Sequence, residues 1–194
     1  MHGWAPVDRD AGERVGTFCL VPQIVEVSGG LPVLAAGGVG CGRQIAASFA
    51  LGAQGVWLGT AWLATKEYGT PPALLKKLLA AKSEDTVITR AHSGKPCRVV
   101  RSAWSDEWES ESAPKPLPMP YQQALTGDLL AAIEEHQVDP LVYEAAGQSI
   151  AWFNELTTVS DLMQNLISDT YSALDAMQRA VVLDPASEHM PRSG

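Results

Sequence analysis

The chain has 194 residues, 46% of them apolar, and a net charge of −8 from 22 acidic and 14 basic side chains. That is enough apolar material for one domain or one and a half, and the acidic balance argues against a nucleic-acid partner, which needs a basic stripe. Cys19, Cys41 and Cys97 are odd in number and lack metal-ligand spacing, which fits a reduced cytoplasmic setting without a metal site; no apolar run reaches the ~18 residues of a membrane span, and Met1–Arg14 is too polar for a signal peptide.

Residues 1–15 read as irregular. Leu20 to Val27 reads as a helix on the spacing of Leu20, Ile24 and Val27, with Pro22 in its first turn, where a missing N–H costs nothing, and Ser28-Gly29-Gly30 stops it. Two short apolar runs closed by glycine follow. The first is Pro32-Val33-Leu34-Ala35-Ala36-Gly37-Gly38-Val39-Gly40 and the second is Gly55-Val56-Trp57-Leu58-Gly59-Thr60, with a short helix, Arg43 to Leu51, between them. Each run is too short for a helix, so both read as buried parallel strands. Thr60 to Lys66 begins another helix, and Pro71-Pro72 opens a further one with Leu74, Leu75, Leu78 and Leu79 on one face. Thr86 to Arg90 reads as extended, His92 to Pro96 as a turn, and Val99 to Trp104 as either strand or helix.

Over residues 105–120 the character changes. Asp106, Glu107, Glu109 and Glu111 are followed by Pro114, Pro116, Pro118 and Pro120, a composition that favours an extended connector. Helical patterns then fall near 122–136, 140–153 and 159–181. In the last, Thr158 and Asp161 form a capping box, and Leu162, Leu166, Ile167, Leu174, Met177 and Val181 repeat at helical spacing. The predicted organisation is a first unit over 1–104, the connector over 105–120, a helical region over 121–183 and a disordered tail over 184–194.

The glycines after the two strands carry the chemistry. Glycine backbone can turn its N–H groups onto an anion with no Cβ in the way, and loops on neighbouring strands can share one phosphate. A (β/α)8 barrel often builds its phosphate site from the loops after its seventh and eighth strands. The fold class expected from these runs is α/β.

The segment PVLAAGGVGCGRQIAASFALGAQGVWLGTAWLAT, Pro32 to Thr65, closely resembles the core motif of the nitronate monooxygenase family, FMN enzymes on a TIM barrel. The resemblance continues through Ser93-Gly94-Lys95-Pro96-Cys97-Arg98, Ser102-Ala103-Trp104, Leu117-Pro118-Met119-Pro120 and Ala146-Gly147-Gln148. It implies FMN as cofactor, with Ala36, Gly37 and Gly38 as the first phosphate loop, Gly59 and Thr60 as the second, Trp57 and Leu58 leading into it, and Gln148 near the flavin. The helix start at Arg43 would add a favourable dipole beside the same anion. The activity implied is oxidation of alkyl nitronates with O2 to a carbonyl compound and nitrite, with a homodimer as a possible assembly.

The match fails at the catalytic base. The family's histidine, in a G-H-x-G segment, counts back to Asp10 here, a poor base at its ordinary pKa of about 4; His2 is too early, and no catalytic residue is assigned. A whole barrel needs eight strands and about 250 residues, so the chain resembles the C-terminal part of such an enzyme, and the fold that the resemblance implies is α/β, a partial (β/α)8 TIM barrel made of the last two βα units and followed by a helical region. The alternatives are a non-catalytic remnant, a fragment that requires a partner for its remaining strands, or a related flavin-dependent enoyl reductase. Blander roles are expected elsewhere. Trp57, Trp62 and Phe49 read as core, Cys41 as a small buried thiol, His92 as a turn residue and His136 as a helix-end cap. Gln148 reads as structural or flavin-facing on sequence alone, and the helices after 122 read as a cap with a share in the substrate pocket.

Overall fold

In the computed structural model, which describes residues 15–180, the first helix, α1 (Thr17–Val27), begins three residues before Leu20. Pro22 therefore lies inside the helix and not in its first turn, and deletes one interior hydrogen bond. Val21 is the helix's buried residue, packed with Ala35 and Ala53. Gly29 and Gly30, at φ +62° and +87°, turn the chain back after Ser28.

β1 (Leu34–Ala36) and β2 (Gly55–Trp57) pair in parallel, Leu34 opposite Gly55 and Ala36 opposite Trp57, and α2 (Gly42–Ala50) crosses between them. The strand–helix–strand reading of 32–58 therefore stands. The burial of Trp57 does not. It is 62% exposed, and Leu34 is 51% exposed, because among the described residues β1 and β2 pair only with each other. Phe49 is exposed as well, since the buried stripe of α2 runs through Ile45, Ala46 and Ser48. Trp62, expected in the core, is half-buried against the Ile45–Leu166 cluster, and its Nε1–H donates to the Leu58 carbonyl at 2.7 Å.

Beyond β2, Thr60–Ala64 is a 3-10 turn and α3 is Pro72–Ala80, with Pro72 at its first position and Leu74 and Leu78 buried. β3 (Thr86–Thr89) and β4 (Cys97–Val100) form an antiparallel hairpin, with Ile88 opposite Arg98. The stretch read as strand or helix is thus strand to Val100 and helix from Ala103. α4 (Ala103–Trp108), capped by the Ser102 hydroxyl, takes Asp106 and Glu107 out of the expected connector. α5 spans Tyr121–Glu135.

The predicted helix over 140–153 is absent. Glu144 to Ala146 run instead alongside β4: Val100 N–H donates to the Glu144 carbonyl at 3.0 Å, and Ala146 N–H donates to the Arg98 carbonyl at 3.1 Å. Only Gln148–Trp152 coils, as a 3-10 turn. Backbone partners on β4 outweigh a local helical preference already weakened by Gly147. Ala146 and Ile150 join Leu63, Leu74, Leu78, Val100, Ile133 and Val142 in one core cluster.

The final helix, α6 (Val159–Ala180), buries Leu162, Leu166 and Thr170, while Ile167 and Met177 are exposed. Its start is capped twice. Asp161 N–H donates to the Thr158 hydroxyl at 3.1 Å, and Val159 N–H donates to both oxygens of Glu67 at 3.0 Å, placing negative charge where the helix dipole favours it. Leu162 and Leu166 meet Ile45 and Val39 in a second cluster. Val181 and the tail lie outside the described residues. No helix among those described is long and apolar enough to cross a membrane.

Helices α2 and α6 touch backbone to backbone at Gly42. A Cβ built there would stand 2.2 Å from the Thr170 nitrogen and 2.4 Å from the Asp169 carbonyl carbon. A Gly42→Ala variant is therefore expected to lose about 1–3 kcal/mol of stability through overpacking, read as a lower urea midpoint; a Gly16→Ala control, whose Cβ would meet nothing within 4 Å, should lose far less.

Candidate functional site

The loops after β1 and β2 open onto two adjoining clefts of about 400 and 210 Å3. Gly37, Gly38, Val39, Arg98 and Gly147 line both. Of the residues predicted from sequence, Trp57, Leu58, Gly59 and Thr60 line the smaller cleft and Gln148 the larger. Ala36 lines neither; it ends β1, and its carbonyl accepts from the Thr17 hydroxyl at 3.4 Å. The two glycine turns thus meet at one place, as their sequence pattern suggests.

Their backbone geometry suits an anion. Gly37 and Gly38 have φ of +98° and +76°, a region where a side chain is strained. A Cβ on Gly38 or Gly59 would meet nothing within 4 Å. Among the described residues, no backbone hydrogen bond ends on the amides of Gly38, Gly59 or Thr60. The flanking groups are tied down. The Thr17 hydroxyl donates to the Gly37 carbonyl at 2.8 Å, and the Thr60 hydroxyl accepts the Gly147 N–H at 2.8 Å, which leaves its own proton to donate.

The dipole of α2 does not take the part expected of it. Gly42 N–H donates to an Asp169 carboxylate oxygen at 2.7 Å, and Gly40 N–H donates to Gln44 Oε1 at 2.7 Å. Arg43 lies over the Trp152 ring, 5.6 Å from its centroid. The helix lends the larger cleft its side, through Gln44, Ala47 and Ser48 with Leu51 just past its end, and not its N-terminus.

Arg98 is the charged residue that sequence reasoning missed. It is the one charged side chain among the described residues lining either cleft. Its Nη1 donates to the Thr86 hydroxyl at 2.9 Å. It stood in the resembling segment Ser93–Arg98, but nothing in its spacing ties it to glycines some sixty residues earlier. Of the region after 121, Ala145 to Ser149 reach the clefts, whereas α5 and α6 do not line them. The expected cap therefore shrinks to that short segment. Cys41 is buried at the start of α2 and His136 ends α5, both as expected. Asp10 and His2 lie outside the described residues.

A second group of ionisable side chains gathers near β4. His92 Nδ1 lies 2.5 Å from the Tyr143 hydroxyl, with the rings edge to face. His92 thus belongs to a side-chain pair as well as to a turn. Burial pushes the Tyr143 hydroxyl well above its ordinary range, and the neighbouring Cys97 and Glu144 add to the shift. Burial also raises the Glu144 carboxyl; the Ala145 N–H opposes this, the Glu134 charge adds to it and His92 opposes it. Because the folded-state value is raised, ionised Glu144 weakens the fold above its unfolded pKa, and that penalty disappears in acid. Glu144→Gln is expected to raise the melting temperature at pH 7, with the gain vanishing as the pH falls below the ordinary carboxyl value of 4.5; thermal scans of both proteins at the two pH values check this.

Residues 1–169 match the family model described as nitronate monooxygenase. A Mycobacterium tuberculosis protein, Rv1533, that carries a monooxygenase name is 44% identical over 183 residues, covering 93% of this chain and 45% of that protein. A Staphylococcus aureus protein named "Probable nitronate monooxygenase" is 38% identical over 135 residues, 70% of this chain and 38% of its own. Among solved structures, nitroalkane oxidase from Streptomyces ansochromogenes superposes with a TM-score of 0.78 at 29% identity, over 89% of this chain and 48% of that one. FabK from Thermotoga maritima gives 0.71 at 31% identity, over 87% and 53%. The chain spans about half the length of the Mycobacterium tuberculosis protein and of the nitroalkane oxidase. With the family match running from residue 1 to residue 169, the chain belongs to the nitronate monooxygenase family.

Proposed function

We propose that the paired glycine loops hold the phosphate of FMN, and that the chain serves FMN-dependent oxidation of alkyl nitronates with O2 to a carbonyl compound and nitrite. The observation that carries this reading is the convergence of the Gly37-Gly38 and Gly59-Thr60 turns on one cleft, with the amides of Gly38, Gly59 and Thr60 free of partners among the described residues. A phosphate fits such a cradle: it is an acceptor, the unfilled space at Gly38 and Gly59 admits its oxygens close to backbone, and each amide bond to a charged acceptor contributes about 1.5–3 kcal/mol. Family membership supports a flavin as the group that carries the phosphate. When bound, the flavin supplies the redox chemistry.

The chain's own residues bind and orient it. Gly38, Gly59 and Thr60 would hold the phosphate through backbone amides, with the Thr60 hydroxyl as a further donor. Val39 and Leu58 give the smaller cleft apolar walls, and Gln148 offers an amide at the larger cleft. In this reading β1 and β2 are the last two staves of a (β/α)8 barrel. The base that would take a proton from a nitroalkane is unassigned, for neither His92 nor His136 lines a cleft.

A second reading has the chain acting with strands that it does not itself carry. The exposure of Leu34 and Trp57 on the open β1–β2 pair, with Leu31 exposed just before β1, favours it, because parallel sheets are normally covered on both faces.

Incubation of the purified chain with FMN, followed by desalting, tests the first reading. Retained flavin absorbance together with nitronate-dependent oxygen uptake is the expected result, whereas colourless protein favours the second. Gly38→Leu is expected to weaken flavin retention by at least about 100-fold, equivalent to losing one or two charged hydrogen bonds. Unchanged retention in a folded variant would remove this loop from the site.

A further inference from the structure

Helix α6 outruns its support. Leu162, Leu166 and Thr170 are its buried residues, on the side that meets α2, and no residue beyond Thr170 is buried. Tyr171 to Ala180 therefore project by about 15 Å at the rise of an α-helix, and a helical stretch without packing gains little stability in water. Beside the buried stripe runs a second apolar one. Met163, Ile167, Tyr171 and Met177 are 39, 49, 70 and 44% exposed, and Leu174 is half-buried. Steps of three and four residues keep them along one side of the helix, the pattern that a second helix covers.

We infer that this stripe docks a second copy of the chain, the two α6 helices lying antiparallel about a two-fold axis near Thr170 and Tyr171. Charge selects that partner and that direction. The stripe itself holds no charged side chain; the helix carries Asp161 in its first turn and Arg179 in its last. These two stand equally far on either side of Thr170 and about five helical turns apart, hence on one face. Antiparallel pairing brings Asp161 of each copy to Arg179 of the other, with Met163 along Met177 and Ile167 along Leu174. Parallel pairing would set Asp161 against Asp161 and Arg179 against Arg179. Arg179 also meets Asp175 on its own helix, in a pair that stays exposed. Such exposed ion pairs add little affinity but fix orientation.

The surface stands apart from the candidate site. Residues of α6 line neither cleft, so pairing there leaves the glycine loops open. The family match ends at residue 169, and the projecting half of α6 lies beyond it. A single helix seam falls at the small end of stable interfaces, so association in the micromolar range is expected.

Sedimentation velocity of the full chain over a concentration series tests the surface. A dimer populated at about 100 μM is expected, and Ile167→Asp should raise its dissociation constant by about tenfold or more. Tyr171→Glu, at a more exposed position, gives the same result should the first variant lose its helical circular dichroism. A wild type that stays monomeric, or a folded variant that dimerises as tightly, would overturn the inference. Direction is read by cross-linking. In a Cys19→Ser background, which removes the exposed native thiol, Met163→Cys and Met177→Cys chains are mixed and oxidised. Disulfides between the two variants, with few within either alone, are expected. Disulfides formed by each variant alone would mean parallel helices, and none in the mixture would place the contact elsewhere; either outcome overturns the antiparallel pairing.

Discussion

The hydrogen bond from the Gly147 amide to the Thr60 hydroxyl, 2.8 Å long, joins residues 87 apart in sequence, and the site depends on it. On one side it fixes the turn that follows β2. On the other it ends a short extended segment, Glu144 to Ala146, that pairs with β4. Through that pairing the hairpin carrying Arg98 is drawn against the glycine loops of an unrelated part of the chain. Closing so long a loop costs conformational entropy, and one hydrogen bond of about 1 kcal/mol net does not offset it. Burial does so. Ala146 and Ile150, on either side of Gly147, sink into the cluster around Leu78 and Val100, and the hydrogen bond sets the register within it.

A second long-range contact determines what the first glycine loop can offer. Gly42 and Asp169 are 127 residues apart and share a 2.7 Å hydrogen bond, in a helix crossing so close that no side chain fits at Gly42. Gly40 is pressed against Trp152 in the same way, its built Cβ only 2.6 Å from Cδ1. The loop is therefore clamped at its far end by α6 and by the Gln148–Trp152 turn. Its near end, Gly37-Gly38, stays open. A helix N-terminus stabilises only one anion well, and Asp169 is already there. In the proposed reading, an anion at this site would be held by the loop amides and not by the helix end.

The open face of the parallel pair belongs to the same picture. Ala35 is fully buried while its neighbours Leu34 and Trp57 are not. One face of β1 and β2 is covered by α1 and the residues around Ala53, whereas their outer edges lack further strands among the described residues. The relatives are about twice as long as this chain.

Much of the local structure was legible in the sequence for short-range reasons. Glycines closing apolar runs marked β1 and β2, Pro71-Pro72 marked the start of α3, and the Thr158–Asp161 spacing marked the start of α6. Each signal lies within a few residues of the feature it sets, through backbone freedom, a fixed φ or a cap. The same rules misread residues 140–153 as helix and Trp57 as core, since their environment comes from β4 in one case and from the lack of further paired strands among the described residues in the other. Gly37, Gly38, Gly59 and Thr60 were found as candidates because glycine reports on its own backbone. Arg98 was not, because an arginine in a strand carries no mark of what it will face. The sequence by itself determined which segments bend, coil or extend; the tertiary structure alone decided that Arg98, Gly147 and the two glycine turns meet, and that Asp169 takes the helix end, because those choices are made by packing between segments sixty to more than a hundred residues apart.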